Sequence, residues 1–247
     1  SYLLNEFIRK INFLLYKKSL CFFDGIFLIS ETLFEYYKTI TPKKVKLIVI
    51  PPFMDPTEFF EDTQILNEHQ NKFKIVYCGS LSQQKDGIYT MLKSIALVKN
   101  KYSEIVFIML GYNKYPEIRN KIENLIKELD ISDNVDLKGY VTRQDYLKYM
   151  KNADMLALAK PTSVQNEYCM PQKITEYVAT GKPFLVTKSP NVEYYLKNGE
   201  NSILAEPDSV EDFANKIIYF IENYDKVKEI NKKTSELALK EFNYKYQ

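Results

Sequence analysis

The apolar residues after residue 72 fall into two alternating patterns. Short runs rich in Val, Ile, Leu and Phe are typical of buried strands, and longer segments with apolar residues three and four positions apart are typical of helices. The predicted strands are 73–78, 104–110, 135–138, 154–159, 184–187 and 202–204. The predicted helices are 85–99, 115–129, 143–150, one that begins at Pro171, 191–197 and 210–223. This alternation with short loops predicts an α/β fold, a Rossmann-like doubly wound parallel sheet.

The first 52 residues repeat this pattern on a smaller scale. A helix is predicted to about residue 20, then a strand at 25–29, a helix at 30–37 capped by Ser30, and a strand at 46–50. The first helix carries basic residues opposite its apolar side, which would suit an anionic membrane surface. Packing on a sheet is the favoured interpretation, because a strand follows at once. The apolar residues of this helix are Leu3, Leu4, Phe7, Ile8, Ile11, Leu14 and Leu15.

Two further segments divide the chain. Residues 53–72 are polar with little periodicity and are predicted to be a linker between domains. The last helix, 224–242, has an apolar stripe too sparse for a buried element, formed by Val227, Ile230, Leu237 and Leu239. The predicted units are therefore 1–60, 61–223 and 224–247.

Composition excludes several function classes. Thirty-four basic residues against 32 acidic ones give a net charge of +2, so a general nucleic-acid binder is not expected and any phosphate site must be local. Three widely spaced cysteines and a single His69 offer neither metal-ligand spacing nor a catalytic triad. Neither a secretory signal nor an apolar run long enough for a bilayer is visible. A soluble, cytoplasmic protein without a bound metal is expected.

The stretch 168–186 carries the most specific chemistry. Pro171 suits the first turn of a helix, and Gly181 suits the left-handed residue that ends one. Ile174 is predicted to face a core, so that Lys173 and Glu176 lie together on the opposite face near the helix start.

That arrangement has a chemical use. A helix start presents unpaired amides and a positive dipole end, so it accepts phosphate, and Lys173 would add a full charge. A carboxylate such as Glu176 accepts hydrogen bonds from a ribose diol in dinucleotide folds. The pattern therefore fits a nucleoside diphosphate. An ordinary i,i+3 surface pair is an equally good interpretation from spacing alone.

Other candidates follow the predicted strands, where ligands of such sheets bind. Gly79 allows close approach to backbone after the strand 73–78, and Lys85 stands at the next helix entrance. Backbone near Val141 would pair with a base edge, although a plain turn is slightly favoured there. The aperiodic loop between Lys160 and Met170 makes Lys160 and Glu167 candidates for contact with the bound ligand.

Three segments together resemble a known family. GSLSQQKDG (79–87), LKGYVTRQDYLKYMKNADMLAL (137–158) and PQKITEYVATGKPFLVT (171–187) are similar to the carboxyl-terminal half of the retaining, sugar-nucleotide-dependent glycosyltransferases of "group one". These enzymes have two Rossmann-like domains facing a cleft, the GT-B fold, and VIPPFMDPTEFF (49–60) resembles their interdomain connection. The resemblance implies that 1–60 is the end of an amino-terminal, acceptor-side domain. It makes 61–223 the donor-nucleotide domain and 224–247 the crossover helix.

The resemblance also implies roles for single residues. Lys85 would hold the donor diphosphate and Glu176 the ribose, as the catalytic pair, with no metal and no cofactor besides the nucleotide-sugar substrate. The remaining donor-binding candidates are Gly79, Ser80, Val141, Lys160, Glu167, Tyr168, Pro171, Gln172, Lys173 and Ile174. The chain departs from the family pattern at Ser80, where an arginine is frequent. It departs again at Tyr168, where a first glutamate is frequent; Glu167 is one residue out of register.

The expected function is transfer of a sugar from a nucleoside-diphosphate sugar to a saccharide or lipid-linked acceptor, with retention, in surface polysaccharide assembly. Peripheral association with the cytoplasmic face of a membrane is compatible with the basic first helix. A nucleotide-sugar epimerase of the same fold and a non-catalytic partner protein are the alternatives. Because most of the family's first domain has no counterpart here, the chain is expected to be a fragment of a longer enzyme.

Overall fold

A computed structural model describes residues 2–59 and 66–246. The amino-terminal part contains a two-stranded parallel sheet with helices before and between the strands. Its elements are α1 (Tyr2–Ser19), β1 (Gly25–Leu28), α2 (Glu31–Ile40) and β2 (Lys46–Val49).

The larger part is a parallel sheet of six strands with helices between them. Its strands are β3 (Phe73–Cys78), β4 (Ile105–Leu110), β5 (Val135–Gly139), β6 (Met155–Leu158), β7 (Phe184–Thr187) and β8 (Ile203–Ala205). Its helices are α3 (Gln83–Asp86), α4 (Ile88–Lys99), α5 (Pro116–Glu128), α6 (Arg143–Asn152), α7 (Val164–Tyr168), α8 (Gln172–Thr180), α9 (Pro190–Tyr195), α10 (Val210–Glu222) and α11 (Tyr224–Lys240). The predicted α/β fold is confirmed.

The strand order is β5-β4-β3-β6-β7-β8, which is the doubly wound Rossmann arrangement. The chain winds from β3 outward through β4 to β5, then returns to the other side of β3 and winds through β6 and β7 to β8. The direction of winding reverses between β3 and β6, so a crevice opens there beyond the carboxyl ends of these two strands. Residues 79–87 and 159–171 leave the sheet on either side of this crevice.

The apolar runs predicted from the sequence form the core. All residues of β4, β6, β7 and β8 are buried, as expected for parallel strands covered on both faces. The helices α4 and α10 pack together, and α8 packs against α11. The helix α8 is therefore supported by α11.

One predicted helix is in fact two. The sequence predicts a single helix over 85–99, but α3 ends at Asp86 and α4 begins at Ile88. Gly87 lies between them in the left-handed region, with φ of 69°. A Cβ atom at Gly87 would collide with the backbone carbonyl of Ala159, so the joint packs directly on the end of β6. This turn is what points Asp86 inward.

The loop predicted after β6 also contains a helix. The expectation of an aperiodic segment is wrong for α7, which Ser163 caps by accepting a hydrogen bond from the amide of Asn166. At five residues the helix is too short for apolar periodicity to reveal it.

The first helix does not pack as expected. The side chains of Phe7, Leu14 and Leu15 on α1 are exposed, and Tyr16 reaches the hydroxyl of Tyr37 on α2. The prediction that this face packs on the following sheet is wrong for the described chain, because a sheet of two strands has little apolar surface to cover. Leu3 and Leu4 have side chains outside the described set. None of the helices within 2–59 and 66–246 combines the length and apolar composition needed to cross a bilayer.

Two other segments are more buried than predicted. The linker over 53–72 contains a 3-10 helix, Pro56–Phe59, whose first and last residues are buried beside α8; residues 60–65 lie outside the described range. The last helix is predicted to be too sparse in apolar residues for burial, but Val227 on α11 is fully buried, and so is Phe242, two residues beyond the helix. Thr234 of α11 is also buried, and its hydroxyl donates to the carbonyl of Asn201, while the helix itself packs against α8. The side chains of Leu237 and Leu239 are outside the described set.

Candidate functional site

Two adjoining cavities open at the crevice between β3 and β6. The first, of about 450 Å³, is lined by Asp86, Leu158, Lys160, Pro171, Gln172, Lys173 and Glu176. The second, of about 550 Å³, is lined by Cys78, Gly79, Gly111, Tyr112, Tyr140, Val141, Thr142, Arg143, Tyr146, Lys173 and Glu176. We call them the charged cavity and the aromatic cavity. Lys173 and Glu176 line both, so the two cavities meet at one turn of α8.

The helix α8 places these two side chains as the sequence predicts. Pro171 is the N-cap residue, one position before the helix proper, and Gly181 ends the helix with φ of 65°. Ile174 is buried in the core, so its neighbours on the opposite face point into the cavities. The Ile174 amide already donates to the Pro171 carbonyl at 3.0 Å. The amides of Gln172 and Lys173, which precede Ile174, are therefore the ones available to a ligand at this helix start.

Lys173 and Glu176 do not pair with each other. The Lys173 ammonium lies 2.6 Å from Oδ2 of Asp86, and the Glu176 carboxylate contacts Arg143 and Tyr146. The ordinary i,i+3 surface pair, which spacing alone left open, is not formed.

Asp86 is the centre of the charged cavity. Its side chain is 5% exposed, and Oδ2 accepts hydrogen bonds from Tyr77 at 2.7 Å and from Ser80 at 3.2 Å besides the Lys173 contact. The Lys160 ammonium lies 3.8 Å from Oδ1. One buried carboxylate thus ties together the segments that follow β3 and β6 and the start of α8.

The protonation of this cluster follows from its contacts. Burial would raise the pKa of Asp86, but the Lys173 ammonium and the hydrogen bonds from Lys173 and Tyr77 hold that pKa below its usual range. Burial lowers the pKa of Lys160, and Asp86 opposes that change. Asp86 is therefore ionised at neutral pH, and Lys160 depends on it for part of its stability as a cation.

The backbone before this cluster is tightly packed. A Cβ atom at Gly79 would collide with the Tyr77 hydroxyl and with the Lys173 ammonium. That ammonium also lies 5.1 Å from the centre of the Tyr77 ring, close enough for a cation–π contact. The predicted close approach at Gly79 is therefore made, in this structure, by Lys173.

Glu176 is fixed by residues that the sequence did not suggest. Tyr146 donates to Oε2 at 2.6 Å, and Nη1 of Arg143 lies 3.2 Å from Oε1. Arg143 also pairs at 2.6 Å with Glu58, in the 3-10 helix Pro56–Phe59. Burial and the nearby Glu176 charge raise the pKa of Tyr146, so this phenol remains a donor. The Glu176 carboxylate is held in one orientation and retains lone pairs for a hydroxyl-bearing ligand.

The aromatic cavity is more open. Tyr140 is 81% exposed and Tyr112 is 61% exposed, and both stand beside Val141 at its mouth. Burial raises the pKa of the neighbouring Cys78 to about 11, so its thiol is protonated. This cavity presents flat apolar faces and backbone polar groups, which suit a heterocyclic base.

Lys85 occupies a different place from the other predicted cations. Its side chain is exposed on α3 and does not line either cavity, while its carbonyl accepts a hydrogen bond from Lys160 Nζ at 2.8 Å. The cations that converge on the start of α8 are Lys160 and Lys173. The role of Lys85 stays a prediction.

Glu167 and Tyr168 also lie apart from this site. They line a third cavity, of about 380 Å³, against α2 and α9. Their carbonyls accept hydrogen bonds from Thr32 at 3.0 Å and from Ser30 at 2.5 Å. In this structure they join the amino-terminal part to the larger sheet, and the predicted donor contacts remain predictions.

A possible metal-ligand set lies elsewhere. Glu68, His69 and Asp136 bring their ligand atoms within 4.8 Å of one another. The Lys138 ammonium, however, contacts Glu68 at 2.6 Å and Asp136 at 2.9 Å. Lys138 therefore offsets one of the two carboxylate charges and contacts both carboxylates, so the donor set does not fit a cation well.

Sequence reasoning missed Asp86, Arg143 and Tyr146. A signal for Asp86 was present, because an acidic residue between Lys85 and Gly87 follows the strand beside the topological switch point. Arg143 opens the helix after β5, another position at the carboxyl edge of the sheet. Asp86 lies 87 residues from Lys173, and Arg143 and Tyr146 lie 33 and 30 residues from Glu176, so no local pattern reveals these contacts.

The family model described as "Glycosyl transferases group 1" matches residues 58–237 of the chain. Among curated proteins, the chain is similar to the uncharacterized glycosyltransferase MJ1059 of Methanocaldococcus jannaschii. The identity is 29% over 93 residues, which cover 38% of this chain and 21% of that protein.

Solved structures share the fold. The Alr3699/HepE protein of Anabaena in complex with UDP and glucose matches with a TM-score of 0.76 and 18% identity, covering 89% of this chain and 59% of that one. A glycosyltransferase from Rickettsia africae matches with a TM-score of 0.75 and 17% identity, covering 90% of this chain and 60% of that one. The chain thus spans about three-fifths of the length of these structures.

Proposed function

Because the chain belongs to the group 1 glycosyl transferases, we propose that its larger sheet binds a nucleoside-diphosphate sugar and takes part in transfer of that sugar to an acceptor. The base and ribose occupy the aromatic cavity, and the diphosphate occupies the charged cavity at the start of α8. The observation that carries this proposal is that Lys173 and Glu176 line both cavities. A single ligand with a diol and a diphosphate a few ångströms apart matches that juxtaposition.

The binding chemistry follows from the side chains. The Glu176 carboxylate accepts hydrogen bonds from the two ribose hydroxyls, while Arg143 and Tyr146 keep it oriented. The Gln172 and Lys173 amides, the positive end of the α8 dipole and two ammonium groups surround the diphosphate.

The same groups promote the reaction. Cleavage of the bond between sugar and diphosphate leaves increasing negative charge on the diphosphate, and groups already placed there stabilise it more in the transition state than in the ground state. We propose that Lys160, Lys173 and the helix amides do this without a divalent ion, with Lys85 joining them when the donor is bound. We propose retention of the anomeric configuration, which the sequence resemblance supports.

The acceptor and the location are further proposals. A saccharide or lipid-linked acceptor, as in surface polysaccharide assembly, would approach from the side of the amino-terminal part. A cytoplasmic location is supported by Cys21, Cys78 and Cys169, which are all free thiols. Peripheral attachment to a membrane is supported by α1, where exposed Leu14 and Leu15 stand beside Lys17 and Lys18.

A ligand screen tests the donor proposal. Nucleoside diphosphates and their sugars, beginning with UDP and UDP-glucose, are added to the protein with and without EDTA, and the melting temperature is measured. A ligand that binds only the folded chain raises this temperature, by an amount that grows with its concentration. At least one nucleoside diphosphate should do so equally in EDTA, and inorganic phosphate should not.

Product analysis then separates the reactions. Incubation of the full-length enzyme with donor and acceptor, followed by NMR of the new linkage, should show the anomeric configuration of the donor. An altered sugar nucleotide formed without acceptor would instead indicate an epimerase. Absence of any stabilising nucleoside diphosphate would contradict the donor site and favour a non-catalytic protein.

A further inference from the structure

One side chain of the charged cavity, Asp86, is not expected to contact the bound sugar nucleotide. Asp86 is 4% exposed, whereas the ammonium groups of Lys160 and Lys173 reach the cavity around it. An acidic side chain beside a diphosphate repels it, so the presence of Asp86 needs an explanation. The contacts of Asp86 with Lys160 and Lys173 provide one.

Resting on the function proposed above, we propose that Asp86 is a positioning residue of the diphosphate site. Its carboxylate fixes the ammonium groups of Lys173 and Lys160 at the start of α8, and it makes no contact with the donor itself. The 2.6 Å contact to Lys173 is the shorter of the two, so Lys173 is the more firmly positioned cation.

Asp86 is well placed for this task because its own position is rigid. The short helix that carries it is capped by Ser82 and closed by Gly87, which packs on the carbonyl of Ala159. The adjacent Lys160 donates to the backbone carbonyl of Lys85 in the same helix. The fully buried Tyr77 donates a hydrogen bond to the carboxylate and so fixes its orientation. A long, flexible lysine gains a fixed geometry from such a support, and less entropy is lost when the ligand binds.

Ser80 belongs to the same arrangement, because its hydroxyl donates a hydrogen bond to Oδ2 of Asp86 at 3.2 Å. The cation beside Gly79 is Lys173, which Asp86 holds there. Two ammonium groups and one carboxylate leave a net charge of about +1 in the cluster, and this charge faces the start of α8.

The contact with Asp86 also maintains the charge of Lys160. Burial lowers the pKa of Lys160, while the Asp86 carboxylate and, to a smaller extent, the Cys169 thiol raise it; the Lys173 and Lys85 ammonium groups both lower it. Without the carboxylate, the Lys160 pKa falls further, so Lys160 loses its proton at a lower pH. A purely structural aspartate would not change the pH dependence of ligand affinity.

The test compares Asp86→Asn with Asp154→Asn. Asp154 accepts from the Lys74 amide at 2.8 Å at the opposite edge of the sheet, so this control removes an equal charge from a partly buried site remote from the cavities. Affinities for UDP and for uridine are measured by calorimetry between pH 6 and pH 9. Uridine lacks the diphosphate and reports on the aromatic cavity alone.

For Asp86→Asn we expect at pH 7 a loss of UDP affinity of about tenfold or more, with uridine affinity changed less than about twofold, because only charged contacts are disturbed. UDP affinity of this variant should begin to fall at a lower pH than that of the unaltered protein. Asp154→Asn should follow the unaltered protein for both ligands.

Other results would overturn the inference. Equal or tighter UDP binding by Asp86→Asn would show that the carboxylate merely competes with phosphate, and parallel losses for UDP and uridine would indicate general disruption. If Asp86→Asn does not fold, Asp86→Glu, which moves the carboxylate by one methylene, must lower the ratio of UDP to uridine affinity. If the unaltered protein binds neither UDP nor any other nucleoside diphosphate of the screen, the proposed function and the inference both fall. If the unaltered protein binds UDP and Asp86→Asn binds it with the same affinity, only the inference about Asp86 is overturned.

Discussion

The charged and aromatic cavities differ in how firmly their side chains are held. In the charged cavity, the side chains of Asp86, Lys160 and Lys173 are 5%, 17% and 26% exposed, and both lysines form ion pairs with Asp86. In the aromatic cavity, Tyr140 and Tyr112 stand in solvent. The charged cavity is thus preorganised for its ligand, whereas the two tyrosines of the aromatic cavity are not held by surrounding side chains. Changes in the charged cavity should affect stability as well as binding, and changes to Tyr140 and Tyr112 should affect binding alone.

The largest effect is expected for Lys173→Met. This change leaves Asp86 buried with a distant Lys160 as its remaining cation, and losing one partner of a buried pair costs about 3 kcal/mol of unfolding free energy. Urea unfolding at pH 7 measures the loss. Lys85→Met, which removes an exposed cation one residue from Asp86, should change the value by less than about 0.5 kcal/mol.

The unfolding free energy lost in Lys173→Met should depend on pH in a defined direction. The Asp86 pKa is lowered in the folded protein, so its ionised form stabilises the fold fully above about pH 4, the value of a free carboxyl, and that contribution disappears as pH falls through the lowered pKa. The difference between the unaltered protein and Lys173→Met should therefore shrink in acid. A difference that is constant from pH 7 to pH 3 would mean that Lys173 stabilises by packing and not by charge.

An intermediate effect is expected for Glu176→Gln, at the boundary of the two cavities. Loss of the charge weakens hydrogen bonds from the ribose, so affinities for UDP and uridine should both fall by about tenfold, with their ratio preserved. Glu104→Gln, an exposed acidic residue at the amino end of β4, is the matched control and should alter neither. A change in the ratio would assign Glu176 to the diphosphate.

The smallest effect on the fold is expected for Tyr140→Ala. The ring is 81% exposed, so the unfolding free energy should change by less than about 0.5 kcal/mol. Uridine affinity should fall severalfold if the base stacks on this ring, since stacking on an aromatic side chain contributes about 1 kcal/mol or more. Tyr194→Ala, an exposed tyrosine of the third cavity, should leave uridine affinity unchanged. Equal affinities for Tyr140→Ala and the unaltered protein would place the base elsewhere.

The sequence predicted α8 well because its signals are local. Pro171 and Gly181 mark its ends, and the spacing of Ile174 from Lys173 and Glu176 decides which side chains reach the cavities. The six strands were predicted for a similar reason, because short runs rich in apolar residues are typical of parallel strands covered by helices. The resemblance to group 1 glycosyl transferases is confirmed by the family match over 58–237.

The charged cluster could not be predicted in this way. Asp86 meets Lys173 across 87 residues of sequence, and it points inward only because Gly87 breaks the helix expected over 85–99. The predicted packing of α1 failed for another reason, because its apolar pattern identifies a face but not the surface that covers it. Periodicity thus predicts elements, whereas the contacts that orient a site depend on turns and on distant partners.

The central claim is that one nucleoside diphosphate occupies both cavities and contacts Lys173 and Glu176, where the cavities join. A crystal structure of the protein with UDP tests it most directly. We expect a phosphate oxygen within hydrogen-bond distance of the Lys173 ammonium and both ribose hydroxyls at the Glu176 carboxylate. A nucleotide bound in the third cavity beside Glu167, or one whose ribose and phosphates avoid these two residues, would contradict the account.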